Sequence, residues 1–197
     1  MNKVFFDLEW NTGFLDGNSF DEIIEIGAVK TDEEYRQIDG FRRLIRPVIY
    51  RKMNPYIQKI LAITMKDLQG EEPLAAVAKV FFDWCGDCDT LIAWSGNDFG
   101  VLEKNLAHIG MKIPEQLGRY DVQMAYAYRT ENSIRNYALK TAVEAMELPE
   151  PEGQEYHDAY CDAQFTAAIG RALTERYGPL PAVEELQALK NTLVKPK

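Results

Sequence analysis

The sequence has few cysteines and few histidines. Its 197 residues include three cysteines and two histidines. Three cysteines cannot all pair within one chain, so no disulfide framework is expected and a cytoplasmic setting is predicted. Cys85 and Cys88 have CxxC spacing, but they lack a second Cys or His pair, so two part-buried thiols at a helix end are favoured over a zinc or redox site. The role of this pair stays open.

The sequence also lacks an apolar run of the ~18 residues that a membrane-spanning helix requires. Met1 leads directly into the apolar residues Val4, Phe5 and Phe6, without a basic and then apolar leader. A soluble protein without a membrane partner is therefore expected.

Positive charge is scarce, because 22 Lys and Arg stand against 31 Asp and Glu, for a net charge of −9. This disfavours a protein that holds long duplexes through many phosphate contacts. A short nucleic-acid substrate is still compatible, since a bound divalent cation can supply positive charge locally. A basic cluster near the third predicted strand is either a solvated strand face or a strip that guides a substrate strand: Arg42, Arg43, Arg46, Arg51 and Lys52.

Apolar patterning predicts strands first and then alternating helices and strands. Residues 3–9, 22–30 and 39–46 predict an antiparallel meander whose first strand is buried, and residues 90–94 predict a further strand. Helices are predicted over residues 57–61, 73–84, 97–110, 133–146 and about 155–178. This order predicts an α/β fold with a mixed sheet flanked by helices, followed by a C-terminal helix and tail in residues 179–197.

Carboxylates stand at three separated places where a stable fold does not require them. Asp7 and Glu9 occupy alternate positions of the first strand and so share one of its faces. Asp98 stands at a predicted helix start. Taken singly, the first pair is also what a strand reaching solvent would show, and Asp98 is also an ordinary helix cap.

The third place is a histidine and an aspartate near the start of the last long helix. His157 and Asp162 are five positions apart, which on an ideal helix leaves their directions about 140° apart. They can converge only if His157 lies at or before the first turn. A surface or capping histidine is the alternative, and the other histidine, His108, has no expected catalytic part.

Together the three places match the needs of two-metal phosphodiester hydrolysis. Such chemistry requires several carboxylates around two cations about 4 Å apart and a base for the attacking water. Asp7, Glu9, Asp98 and Asp162 are candidate metal ligands, and His157 is the candidate base.

The ordered residues Phe5-Phe6-Asp7-Leu8-Glu9, then Asp98, then His157 and Asp162 resemble the DEDDh (DnaQ-like) exonuclease superfamily over roughly residues 3–173. The segments Glu22–Val29 and Leu61–Thr64 support the resemblance, and the opening Phe-Asp-Leu-Glu-Trp-Asn is most similar to the ERI-type RNA exonucleases. The spacing of His157 and Asp162, with four residues between them, is typical of the histidine subclass, since Asp158 stands four before Asp162, where the tyrosine subclass would need a tyrosine.

The resemblance implies a ribonuclease H-like fold, with the exonuclease domain in residues 1–178. It implies that Asp7, Glu9, Asp98 and Asp162 hold two Mg²⁺ or Mn²⁺ ions and that His157 is the general base. The implied reaction is 3′→5′ removal of 5′-mononucleotides from single-stranded RNA or short oligonucleotides, with DNA possible. The residues expected near the substrate are Leu8, Trp10, Asn11, Phe99 and Tyr156.

Several alternatives stay open from the sequence. A DNA proofreading exonuclease would share every catalytic residue, whereas a silent nucleic-acid-binding scaffold would have lost some of them. A hydrolase of another phosphodiester on the same scaffold is a further alternative. Core packing competes with base stacking for Trp10, Phe99 and Tyr156, and Glu25 is interpreted as an edge or ion-pair residue. Oligomeric state, protein partners and the biological substrate are not predicted.

Overall fold

A five-stranded mixed sheet forms the centre of the molecule. The computed structural model describes residues 2–149 and 157–193. Strands β1 (Lys3–Leu15), β2 (Asn18–Thr31) and β3 (Gln37–Leu44) form the antiparallel meander, and β4 (Thr90–Ala93) and β5 (Gly118–Asp121) lie parallel to β1. The strand order is β3-β2-β1-β4-β5, so β1 is central. The predicted α/β fold with a mixed sheet is confirmed.

Helices cover both faces of this sheet. One face packs against α3 (Leu74–Cys85) and α4 (Gly96–His108), and the other against α5 (Val122–Glu131), α6 (Leu139–Ala145) and α7 (Ala159–Tyr177). Two short helices, α1 (Ile57–Ile60) and α2 (Met65–Leu68), follow the meander, and α8 (Val183–Leu193) packs against α5. Two apolar cores result, one on each face of the sheet.

The β1–β2 hairpin extends further than the sequence pattern indicates. The apolar pattern ends the first strand at residue 9 and begins the second at residue 22, but β1 continues to Leu15, β2 begins at Asn18, and only Asp16 and Gly17 form the turn. Both turn residues have positive φ, 50° and 80°, as a two-residue hairpin turn requires. The register shifts between Glu9 and Trp10, so the outer part of the hairpin is a distinct arm.

The helix predicted over residues 133–146 is wrong in its first half. An unpredicted strand and helix, β5 and α5, precede it, and Asn132 ends α5 in the left-handed conformation. Residues up to Ala138 are not helical, because the carbonyl of Tyr137 accepts hydrogen bonds from the Trp94 indole (3.0 Å) and the Gln123 amide (2.8 Å). Tertiary contacts therefore override the local helical pattern.

The last long helix begins at Ala159, with Asp158 as its N-cap, and not near residue 155. Residues 150–156 and 194–197 lie outside the described part of the chain. The predicted domain boundary at residue 178 stays a prediction. Within residues 2–149 and 157–193, no helix is both long and apolar enough to span a membrane.

The Cys85 and Cys88 thiols are buried at the end of α3, and neither forms a disulfide. Burial raises the pKa of Cys85 to about 12, so this thiol stays protonated at neutral pH. The structure thus places two buried thiols at a helix end.

Candidate active site

The two faces of β1 differ in chemistry. Val4, Phe6 and Leu8 point into the core that α3 and α4 cover. Phe5, Asp7 and Glu9 alternate with them and therefore face the side of α7. The acidic pair thus lies on a face that is apolar at Phe5 and becomes charged toward the carboxyl end of the strand.

Helix α4 brings Asp98 to this end of the sheet. The Ser95 hydroxyl caps the helix by accepting a hydrogen bond from the Asn97 amide (3.2 Å) and itself donates to Asp98 Oδ2 (3.3 Å). The Leu8 amide also donates to the Asp98 carboxylate, which is 5% exposed. These bonds fix Asp98 beside the strand residues Asp7 and Glu9.

Helix α7 can bring Asp162 to the strands because Gly27 has no side chain. Gly27 is the register partner of Asp7, and a Cβ atom at this position would lie 2.1 Å from the backbone of Ala159 and Tyr160. The first turn of α7 therefore rests directly on β2. Asp162, one turn into the helix, is buried at the same end of the sheet.

His157 lies just before α7, which is the position that its convergence with Asp162 requires. Its backbone has a φ of 69°, and its amide donates to Asp162 Oδ2 (3.2 Å). One ligand atom each from Glu9, His157 and Asp162 lies within 4.8 Å of the other two. The strand and the helix end thus meet at one cluster, with an exposed imidazole beside two carboxylates.

The pKa values of all four carboxyl groups are raised, and burial is the largest cause for each. The pKa rises to about 8 for Glu9, to about 7 for Asp162 and to about 6 for Asp98, and that of Asp7 lies well above its usual range. Neighbouring carboxylates add to the rise, notably Asp98 and Asp162 on Asp7. These groups cannot all be ionised at neutral pH without a compensating positive charge.

The donor set fits hard divalent cations. Asp162 Oδ1 is buried and has no hydrogen-bond partner among the described residues, so it is available as a ligand. Four carboxyl groups supply only oxygen donors, which is the preference of Mg²⁺ and Mn²⁺. A cation here would relieve the repulsion that raises these pKa values.

An ion-pair network holds the segment that carries His157. The Arg42 guanidinium pairs with Glu25 Oε1 through Nε (2.8 Å) and with Asp158 Oδ2 through Nη2 (2.5 Å). Asp158 Oδ1 accepts from the Cys161 amide (3.0 Å) and so caps α7. Glu25 is the register partner of Glu9, and it lies on β2, an interior strand between β3 and β1, so the edge interpretation is wrong and the ion-pair interpretation is correct.

The predicted substrate residues differ in placement. The Leu8 and Phe99 side chains are core residues, and the Phe99 ring packs against Phe6 at 5.1 Å. Trp10 is partly buried against the same core. Asn11 is 1% exposed and bonds the Lys52 carbonyl (3.0 Å) and the Asn54 amide (2.8 Å). Tyr156 lies outside the described residues.

Sequence reasoning missed the residues that position the catalytic groups. Gly27 stood in a segment that supported the family resemblance, but its contact with α7 depends on the fold. Arg42 was grouped with the basic cluster, whereas the structure places it between Glu25 and Asp158. Ser95 follows an apolar strand and precedes a helix, a pattern typical of an N-cap, and could have been found from sequence.

This fold is that of the ribonuclease H-like nucleases, and the acidic cluster at the end of the sheet has donors that suit divalent cations. Residues 4–169 match the exonuclease family RNase_T, and the chain belongs to that family.

The chain is also similar to particular proteins. It is 29% identical over 169 residues to the PolC-type DNA polymerase III of Clostridium perfringens (strain 13 / Type A), a match that covers 84% of this chain and 11% of that protein. This chain therefore spans only a small part of that relative.

Two solved structures share the fold. One shows 3′-end-specific recognition of the histone mRNA stem-loop by a 3′-exonuclease (TM-score 0.78, 16% identity, 91% of this chain and 84% of that chain). The other is the nuclease domain of 3′hExo, a DEDDh family member, bound to rAMP (TM-score 0.77, 16% identity, 91% and 94%). The predicted family resemblance, the ribonuclease H-like fold and the exonuclease class are thereby confirmed, and the chain is an exonuclease that acts on nucleic acids.

Proposed function

We propose that this protein is a 3′→5′ exonuclease that removes 5′-mononucleotides from the 3′ end of single-stranded RNA or short oligonucleotides, with two Mg²⁺ or Mn²⁺ ions. The observation that carries the proposal is the meeting, at one end of the sheet, of the exposed His157 with four carboxyl groups whose pKa values are raised. Asp98 and Asp162 are buried, and Asp7 and Glu9 are partly buried.

The roles follow from the positions of the residues. Asp7, Glu9 and Asp162 would hold the metals directly, and Asp98 would complete the second site. Bound there, the cations would supply positive charge for the scissile phosphate. Asp98 is held from outside the site by Ser95 and by the Leu8 amide, so its carboxylate is already oriented.

His157 would take the proton of the attacking water. It lies in front of the helix and is exposed, so the proton can pass on to solvent. Water would attack the phosphorus, and the 3′ oxygen of the preceding nucleotide would leave. The cleaved nucleotide would then carry the phosphate on its 5′ side.

A DNA substrate is the second candidate, and the similarity to a PolC-type DNA polymerase is the observation that favours it. The carboxylates and His157 would serve either sugar. RNA is preferred here on the similarity of the Phe-Asp-Leu-Glu-Trp-Asn opening to RNA exonucleases and of the fold to a structure that recognises histone mRNA.

The test is hydrolysis of 5′-labelled RNA and DNA 20-mers with Mg²⁺ or Mn²⁺. We expect a ladder that shortens from the 3′ end, is faster on RNA and is abolished by EDTA. Asp7→Ala and His157→Ala should both remove it, and Lys79→Ala, which changes an exposed residue of α3, should not. Cleavage inside the strand, or none with either metal, would contradict the proposal.

A further inference from the structure

A cleft opens beside the candidate active site, one strand further across the sheet. It has a volume of about 400 Å³, within the range of small-ligand sites, and lies where β4 and β5 end. Ser95, whose hydroxyl bonds Asp98, lines the cleft together with Asn97, so the cleft borders the segment that holds Asp98.

The opposite side of the acidic cluster is closed. Asn11 and Gly13 follow Glu9 on the same face of β1, and both are covered by residues 50–54. Asn11 binds the Lys52 carbonyl, and a Cβ atom at Gly13 would lie 2.6 Å from the Tyr50 ring. A nucleic-acid strand that ends at this wall can leave the site only in another direction.

The cleft is lined by groups that suit a single strand. The Asn136 amide, the Tyr137 ring and Lys190 from α8 line it, whereas the Trp94 indole and the Gln123 amide, which also line it, bond the Tyr137 carbonyl. At its rim, the Arg135 guanidinium lies 5.6 Å from the centre of the Tyr137 ring. Positive charge combined with aromatic faces is the usual means of binding single-stranded nucleic acid without reading its sequence.

Among the described residues that line the cleft, Asp121 is the one carboxylate, and its oxygens form hydrogen bonds within the protein. Asp121 accepts hydrogen bonds from the Gly96 amide (3.0 Å) and the Met124 amide (3.0 Å). It thereby ties the segment before α4 to the start of α5. Lys190 faces the same cleft, so its positive charge offsets that of Asp121 in an otherwise acidic protein.

We propose that this cleft binds the nucleotides upstream of the scissile bond, with Lys190 contacting a phosphate and Asn136 a base or sugar. The inference rests on the proposed exonuclease function and adds the path of the substrate to it. The closed side beside Asn11 and Gly13 takes the terminal nucleotide, and the open cleft takes the rest of the strand. Affinity should therefore increase as upstream nucleotides are added.

The test compares oligoribonucleotides of three and eight nucleotides. For the wild type, kcat/KM and affinity, the latter from fluorescence anisotropy in EDTA, should both be higher for the 8-mer. Lys190→Ala should reduce this advantage about threefold. The slope of log affinity against log salt should become shallower by about 0.7, because one phosphate contact is lost. One such contact corresponds to about threefold in affinity between 50 and 200 mM salt. Asn136→Ala should also reduce the advantage.

Lys79→Ala is the matched control, because it removes an exposed lysine on the opposite face of the sheet. It should keep the full 8-mer advantage. Equal binding of both lengths by the wild type, or an unchanged advantage in Lys190→Ala and Asn136→Ala, would overturn the inference. Because anisotropy does not need hydrolysis, a protein that binds but does not cleave would contradict the proposed function while still deciding the path.

Discussion

The two faces of β1 belong to one strand, but one is apolar and the other carries carboxyl groups. Val4, Phe6 and Leu8 on one face are at most 2% exposed and lie in an apolar core. Asp7 and Glu9 on the other face are carboxyl groups with raised pKa values. The first face stabilises the fold, whereas the second carries like charges whose repulsion is relieved by bound protons or by a bound cation. The difference shows that the acidic face is maintained at a cost to stability, which is typical of functional sites.

The largest effect should come from removing one charge from the acidic face. Asp7→Asn keeps the size of the side chain but removes a metal ligand, so kcat/KM should fall by about 10³-fold or more, since several kcal/mol of transition-state stabilisation are lost. In EDTA at pH 8 the same variant should unfold at a higher temperature than the wild type, because less like charge is buried.

Val4→Ala is the matched change on the apolar face. It should lower the free energy of unfolding by about 2 kcal/mol through lost burial and a small cavity. The kcat of the folded enzyme should be unchanged. If Asp7→Asn destabilised the metal-free protein as Val4→Ala does, the contrast between the two faces would be incorrect.

The next effect concerns the contact that brings α7 to the acidic face. Gly27→Ala would place a methyl group against the backbone of α7, and something must move. We expect a loss of about 1–3 kcal/mol in the free energy of unfolding and a lower kcat in the protein that remains folded. Gly70→Ala, where the added atom meets nothing within 4 Å, should change both by much less. Chemical denaturation and single-turnover assays measure the two quantities.

A smaller effect is expected for the ion pairs behind His157. Arg42→Gln would leave Glu25 buried without its cation and release Asp158 from β3, so kcat/KM should fall by about tenfold, in the range measured for residues that orient ligands. Arg42 is half-exposed, which limits the cost to stability. Arg171→Gln removes an exposed pair at the middle of α7 and should have little effect on activity. Equal kcat/KM values for Arg42→Gln and Arg171→Gln would show that Arg42 does not position the site.

The last effect is the pH dependence of the metal-free protein. The folded pKa values of Glu9 and Asp162 are about 8 and about 7, above the usual values near 4 in an unfolded chain. Between about pH 4 and about pH 8 the folded state binds more protons than the unfolded chain does. The free energy of unfolding should therefore fall as pH rises across this range. Thermal unfolding in EDTA should show this trend, and Mg²⁺ should reverse it at pH 8. A rise in stability with pH across this range, measured in EDTA, would contradict the raised pKa values.

Much of the fold could be predicted from sequence, since β1, β2, β3, β4, α3 and α4 have clear apolar periodicity. The pattern failed where tertiary contacts decide the structure. Residues 133–138 have a helical pattern, but Trp94 and Gln123 bind the Tyr137 carbonyl and keep them out of a helix. The hairpin arm was missed because its two-residue turn lies within a longer polar stretch.

The acidic residues could be selected as candidates from sequence because their spacing has no simple structural cause. The sequence required His157 to lie before the first turn of the helix, and the structure places it there. The residues that position them were not predictable, since the contacts of Gly27 and Arg42 join elements more than 100 residues apart. Asn11 was assigned to the substrate by the family resemblance, but its bonds to Lys52 and Asn54 depend on a loop that sequence alone does not locate.

The most direct test of the acidic face is to count bound Mn²⁺ by electron paramagnetic resonance at pH 8. The wild type should bind two ions close enough to couple magnetically, and Asp7→Asn should lose this coupling while the protein stays folded. A wild type that binds no Mn²⁺ at millimolar concentration, or an Asp7→Asn variant that binds two coupled ions as the wild type does, would contradict the assignment of this face as a metal-dependent nuclease site.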